Sequence, residues 1–182
     1  MESKKDIRRH ILDKRSELNA DVWERHTHAI FERVIEHPYF SETDVIYCYV
    51  DYRREVGTRD IIERAWELGK RLAVPKIVDN DMQFYYLSAF TQLTEGYKGI
   101  PEPKTWLLAQ DAHALVIMPG VVFDRSRNRL GYGKGFYDRF LSKHPSYRTM
   151  AIAFELQMMD EIPADDFDIR PEVLITEEQI YV

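Results

Sequence analysis

The chain has 182 residues, 45% hydrophobic and 31% charged, which suits an ordinary globular protein and allows one domain, 1–182, with a substantial core. Its net charge of −6 argues against a general nucleic-acid or membrane binder, because those need a long-range positive field; an anionic ligand would be held by local basic patches. The single cysteine, Cys48, lies in an apolar run without an internal partner, so a buried thiol and a cytoplasmic setting are expected, and neither a membrane span nor a signal peptide is recognisable.

From the N-terminus, Ser3 is placed to cap a helix running to about Leu18, with Ile7, Ile11, Leu12 and Leu18 as its apolar stripe. Lys4, Arg8 and Arg15 share another face of that helix. They read either as three cations aimed at one anion or as a solvated basic face. A second helix, roughly Asp21 to Glu36, stops at Pro38 and reads as scaffold. His10, His26, His28 and His37 have no carboxylate or cysteine partners at metal-ligand spacing, so packing or solvent exposure is expected of them rather than zinc.

Val45 to Val50 is the first predicted strand, apolar and aromatic almost throughout, as in a strand covered on both faces. Thr58 then caps a helix from Arg59 to Leu68 that Gly69 closes. Glu55 therefore falls at the carboxyl end of a strand, where a ligand contact and an exposed loop carboxylate are both open readings. Arg71 to Pro75 supplies a second parallel strand and completes a β-α-β unit. A strand over Asp81 to Leu87 follows, then a loop from Glu95 to Pro103. Tyr85, Tyr86, Tyr97 and Trp106 surround that loop, either covering the core edge or offering rings to a flat heterocycle. Ala114 to Met118 reads as a buried strand, Phe136 to Lys143 as a short helix, and Thr149 to Phe154 and Glu172 to Thr176 as the last strands. Residues 155–182 carry nine acidic side chains against the single Arg170; most are solvated, and a metal site among them is left open.

The stretch from Pro119 to Asp138 carries the chemistry. Gly131, Gly133 and Gly135 let the backbone approach a ligand closely, and consecutive N–H groups together with the start of a helix at Phe136 make an anion nest. This is not a P-loop, because Gly135 rather than Ser or Thr follows Lys134, and its spacing is one residue short of the dinucleotide fingerprint. Arg125, Arg127, Arg129, Lys134 and Arg139 face only Asp124 and Asp138, a local positive excess in an acidic chain, which favours an anion site over a mere surface turn.

These residues resemble a known family, the 5-formyltetrahydrofolate cyclo-ligases, also called 5,10-methenyltetrahydrofolate synthetases. The resemblance rests on Pro119-Gly120, Phe123-Asp124 and the run Arg129-Leu-Gly-Tyr-Gly-Lys-Gly-Phe-Tyr-Asp138. Lys4 and Arg8, Glu55-Val-x-Thr58, Val74-Pro-Lys76, Gly99-x-Pro-Glu-Pro103 and Thr176-Glu177 support it, so it covers nearly the whole chain. It implies an α/β fold, a three-layer α/β/α sandwich with a mostly parallel sheet of the ribose-phosphate isomerase/CoA-transferase-like kind. It also implies ATP-dependent cyclisation of 5-formyltetrahydrofolate to 5,10-methenyltetrahydrofolate. Separately, a monomer with no nucleic-acid or membrane partner is expected. By the same resemblance Lys4 and Arg8 contact the ATP phosphates, and Arg129, Leu130, Gly131, Tyr132, Gly133, Lys134, Gly135, Phe136 and Tyr137 form the nucleotide loop. Lys134, Arg129 and Tyr137 are its catalytic members, Val50 and Glu55 contact the folate, and Asp138 binds Mg2+. Two positions depart from the pattern: Tyr132 stands where many members have Arg or Phe, and Pro171 where some have a second magnesium-binding Asp, leaving Asp168, Glu172 or water to complete that shell. A sugar-phosphate isomerase and a non-catalytic nucleotide- or folate-binding protein are the rival readings.

Overall fold

The computed structural model describes residues 3–182. Helix α1, Lys4–Ser16, is capped by Ser3, whose hydroxyl accepts the Asp6 N–H at 3.2 Å, and it ends two residues before Leu18. Asn19 caps α2, Ala20–Glu36, through Val22 N–H at 2.9 Å. Pro38 does more than stop that helix: it opens a short third one, α3, Pro38–Glu42, since a proline lacks only an N–H that a first helical turn leaves unpaired.

Strand β1, Val45–Cys48, helix α4, Arg59–Glu67, and strand β2, Arg71–Val78, form the parallel β-α-β unit. Gly69 terminates α4 at φ +71°, with Gly69 N–H bonded to Trp66 and Lys70 N–H to Ala65. Thr58 does not cap α4 as expected. Its hydroxyl bonds Asp51 instead, donating to Oδ1 at 3.0 Å and accepting Asp51 N–H at 3.2 Å. Strand β2 continues past Pro75 because its pairing with β1 ends at Ala73, so no parallel neighbour asks Pro75 for an N–H. It turns through Asp79 and Asn80, both at positive φ, into antiparallel β3, Asp81–Tyr86. The expected loop from 95 to 103 contains a small sheet of β4, Leu93–Glu95, and β5, Pro101–Pro103.

Strand β6, Leu115–Met118, is followed by a hairpin of β7, Val122–Asp124, and β8, Arg129–Leu130, which sequence patterning did not reveal. Then come α5, Phe136–Lys143, β9, Arg148–Ile152, β10, Met158–Met159, which joins β7, β11, Val173–Ile175, and β12, Ile180–Tyr181. The main sheet has seven strands in the order β12-β11-β9-β6-β1-β2-β3; β11, β9, β6, β1 and β2 run parallel and the two edges are antiparallel.

Alternate residues of each central strand serve opposite faces. Ile46, Leu115 and Ile117 pack under Ile30 and Val34 of α2 and Ile61 and Ile62 of α4. Tyr47, Val116 and Met118 pack under Phe140 and Leu141 of α5. Both faces are thus covered, which is why β1 and β6 are apolar at every position. Helix α1 lies outside these layers, with Ile7 and Ile11 on Val121, Val122 and Leu130 of the small hairpin sheet. Ile117 is fully buried at the centre, so Ile117→Ala should cost about 2–5 kcal/mol in urea denaturation with an unchanged m value. A loss below about 1 kcal/mol would contradict this packing.

Candidate active site

The chain leaves β1 toward β2 on one side of the sheet, and later leaves β6 toward β9 on the other. The carboxyl ends of adjacent β1 and β6 therefore flank a topological switch point, the place where open α/β sheets leave a crevice. A cavity of ≈ 1160 Å³ opens there, with Tyr49 and Val50 after β1, Lys76 in β2 and Pro119 after β6 in its floor. It is larger than the roughly 300–1,000 Å³ of ordinary small-molecule pockets.

Glu55 forms part of one wall and is only 7% exposed. It sits at the end of a tight turn, Tyr52 to Glu55, in which Arg53 and Arg54 both take positive φ (47° and 58°). Neither residue is glycine, so the turn is strained, and its neighbours hold it in place. Trp23 of α2 donates to the Glu55 carbonyl at 2.8 Å, Tyr49 donates to the Val56 carbonyl at 2.9 Å, and Gly57 N–H reaches Thr27 at 3.3 Å. Helix α2 is scaffold in a specific sense: it fixes this loop. The carboxylate accepts Tyr132 OH on Oε1 at 2.6 Å and Tyr52 N–H on Oε2 at 2.9 Å. Burial pushes its pKa up, and Tyr132, Arg15 and the Tyr52 amide oppose that rise.

The opposite wall is basic. Arg8 of α1 donates from Nε to the Gly131 carbonyl at 2.7 Å, and its guanidinium lies beside Gly133. Gly133 and Gly135 have φ of +91° and +64°, conformations that suit glycine, and Gly135 precedes α5 without a side-chain cap, so the first-turn amides stay available to an anion. Lys134 is exposed on this wall, and its carbonyl accepts from Arg139 at 2.6 Å. Lys4 also lines the cavity, paired with Asp165 at 2.6 Å and Asp168 at 3.5 Å; the Asp165 contact raises its pKa. Arg129 is buried and paired with Asp138 at 3.0 Å, and Asp138 Oδ1 also accepts Ile169 N–H at 3.0 Å. Tyr137 is held well above its ordinary pKa by burial, with the Arg129 guanidinium 5.7 Å from its ring centre.

Every site residue expected from the sequence, from Lys4 and Arg8 through Val50 and Glu55 to Arg129–Asp138, lines this single cavity. Of the two acids suggested in place of Pro171, Asp168 is in the cavity wall, whereas Glu172 is spent on Thr149 N–H at 3.1 Å and does not line it. Tyr97 lines the cavity edge-on to Phe136, while Tyr86 is engaged elsewhere with Asp111. Among the described residues no cluster of three or more His, Cys, Asp or Glu is spaced to hold a metal unaided, and no helix is long and apolar enough to cross a membrane. Arg15, expected beside Lys4 and Arg8 on a basic face open to an anion or to solvent, is instead buried against the Tyr132 hydroxyl. It is 2% exposed and lies one turn beyond Ile7 and Ile11 on the buried stripe of α1; an arginine continuing an apolar stripe was the available signal. Its Nη2 donates to the Tyr132 hydroxyl at 2.9 Å and to the Arg53 carbonyl at 3.2 Å.

Residues 1–177 match the profile of the 5-formyltetrahydrofolate cyclo-ligase family. A Schizosaccharomyces pombe protein described as a probable 5-formyltetrahydrofolate cyclo-ligase is 30% identical, with 99% of this chain and 98% of that protein aligned. A Caenorhabditis elegans protein of the same description is 28% identical over 97% of this chain and 93% of its own length. Among solved structures, the NMR structure of Aquifex aeolicus 5,10-methenyltetrahydrofolate synthetase superimposes with a TM-score of 0.86 at 28% identity, covering 97% of this chain and 91% of that one.

The Arg129 side chain is only 5% exposed, so removing its partner strands a charge in the protein. Asp138→Ala should lower stability by roughly 3 kcal/mol in urea denaturation. A change under about 1 kcal/mol would mean that the pair behaves as a solvated surface contact.

Proposed function

The chain belongs to the 5-formyltetrahydrofolate cyclo-ligase family, a family of ligases, and from that membership we propose that its cavity aligns 5-formyltetrahydrofolate with MgATP for cyclisation to 5,10-methenyltetrahydrofolate. The observation that carries this reading is the meeting, in one cavity, of a buried carboxylate on one wall and a basic, glycine-rich wall on the other.

The formamide at N5 is a weak electrophile and its oxygen a poor leaving group. The formyl oxygen attacks the γ-phosphorus of ATP, the bond to the β-phosphate oxygen breaks, and ADP leaves. N10 then bonds to the activated formyl carbon and loses its proton, and the C–O bond breaks to release phosphate. Alignment and charge neutralisation supply most of such a phosphoryl transfer. In this assignment Glu55 accepts adjacent N–H donors of the pterin edge and Val50 packs beside it. Lys4, Arg8 and the amides of residues 131–136 take the polyphosphate, for which Lys4 exchanges part of its pairing with Asp165 for phosphate oxygen. Lys134 faces the transferring group. Arg129 holds the loop to Asp138 and, over Tyr137, adds positive charge behind it. Asp138 uses Oδ1 for Arg129 and Ile169, and among the described residues its Oδ2 accepts no hydrogen bond, so one carboxylate oxygen fits a magnesium ion carried in on the nucleotide. A hard cation takes such an oxygen while keeping several waters. The buried free thiol of Cys48 suits a reducing, cytoplasmic setting. A sugar-phosphate isomerase could also use a buried carboxylate, as a general base, but it would need no ATP.

Mixing the protein with MgATP and 5-formyltetrahydrofolate should produce the near-ultraviolet absorbance of the methenyl product; no rise with active reagents would remove this reading. Lys134→Ala should lower kcat by about 10²–10³-fold with little change in Tm, because the side chain is exposed. Normal turnover in that variant would deny Lys134 its role.

A further inference from the structure

Tyr132 contacts both walls of the cavity. It sits between Gly131 and Gly133 at the middle of the basic loop, yet its hydroxyl donates to Glu55 across the site at 2.6 Å. The residue as a whole is 53% exposed, but its hydroxyl is engaged on both sides. The hydroxyl end is enclosed between Glu55 and the buried guanidinium of Arg15, at 2.6 and 2.9 Å. Every strong group in this chain of contacts is used in one direction. Arg15 can only donate, Glu55 when ionised can only accept, and the phenol between them does one of each.

Resting on the reading of Glu55 as the pterin acceptor, we propose that Arg15 and Tyr132 are positioning residues for the folate, a two-member relay that holds the Glu55 carboxylate ready for the pterin edge and ties the nucleotide loop to it. Oε1 is bonded to Tyr132 and Oε2 to the Tyr52 amide, so each oxygen keeps a lone pair for one of the two adjacent pterin N–H groups. The relay therefore orients Glu55 without blocking it. It also explains why a tyrosine serves at 132. Phenylalanine there would lack the hydroxyl, and an arginine would set a second cation against Arg15.

The groups facing Glu55 come from several elements: Arg15 from α1, Tyr132 from the glycine loop, Tyr49 after β1, Asp51 and the Tyr52 amide from its own loop, and Tyr137 from α5. Burial and Asp51 favour the neutral acid, whereas Tyr132, Arg15 and the Tyr52 amide favour the carboxylate. The folded-state pKa of Glu55 is already raised, so the acceptor form is lost as pH falls through a value above the ordinary glutamate range. Taking away the phenol removes the first of the opposing contacts and moves that loss to still higher pH.

The test is steady-state kinetics of Tyr132→Phe against pH, with saturating MgATP and varied 5-formyltetrahydrofolate, then the converse. Tyr132→Phe should raise KM for the folate about tenfold, the effect of losing a hydrogen bond to a charged group, with a smaller rise for ATP. The acidic limb of kcat/KM for the folate should move to higher pH, which a merely structural role would not produce. Arg15→Gln should move the limb in the same direction, and Arg15→Lys, which keeps the charge, should restore part of it. Should the buried Arg15→Gln variant fail to fold, Tyr132→Phe decides alone, because its ring stays where it is. An active parent with an unmoved limb and unchanged folate KM in Tyr132→Phe would overturn the relay and leave the ligase reading intact. An inactive parent would overturn both.

Discussion

Burying a carboxylate at 7% exposure is costly unless donors come to meet it, and at Glu55 they come from distant parts of the chain. Tyr132 lies 77 positions along from Glu55, and Arg15 lies 117 positions before Tyr132. To satisfy one acid, the N-terminal helix, the loop after the first strand and the glycine loop must close on one point. The rest of the site follows from that closure. Once α1 is drawn in so that Arg15 reaches the phenol, Arg8 two turns earlier falls beside Gly131 and Gly133, and Lys4 one turn before it reaches the mouth of the same cavity.

The glycine loop is anchored at its ends and exposed at its middle. Arg129 and Asp138 pair across it, and the Asp138 carboxylate also receives the Ile169 amide, so the loop is fixed to the first turn of α5. Gly131, Tyr132 and Gly133 are held by Arg8, Arg15 and Glu55. Lys134 remains in solvent. A rigid frame around an accessible cation suits a reaction whose difficulty lies in alignment more than in bond-making by the protein. The chain as a whole is acidic, with a net charge of −6, so the cations of this wall act on an anion at short range and not through a long-range field.

Local signals read well wherever a residue's neighbours in sequence decide its fate. The central strands were legible because burial on both faces demands an unbroken apolar run, and α5 because its start follows a glycine loop. The hairpin of β7 and β8 was not legible: β8 has only two residues, and Arg127 takes φ +63° in a turn held by the Asp124 carboxylate, without glycine to mark it. Strands β4 and β5 were hidden by the prolines that bound β5, which argue for a loop until an edge position excuses them. Thr58 had the identity of a helix cap, but Asp51 offered its hydroxyl a better partner from across the loop.

By itself the sequence determined the glycine-rich basic segment, the continuous apolar strands and the ordered set of motifs that place the chain in its family. Each of these is a property of residue type and short-range spacing. Tertiary structure alone decided that Glu55 is buried, that Arg15 leaves the exposed basic face to stand behind Tyr132, that Lys4 shares Asp165 and Asp168, and that Glu172 lies outside the site. Those outcomes depend on pairs far apart in the chain, and such pairs form only once the sheet order has set which ends of which elements meet.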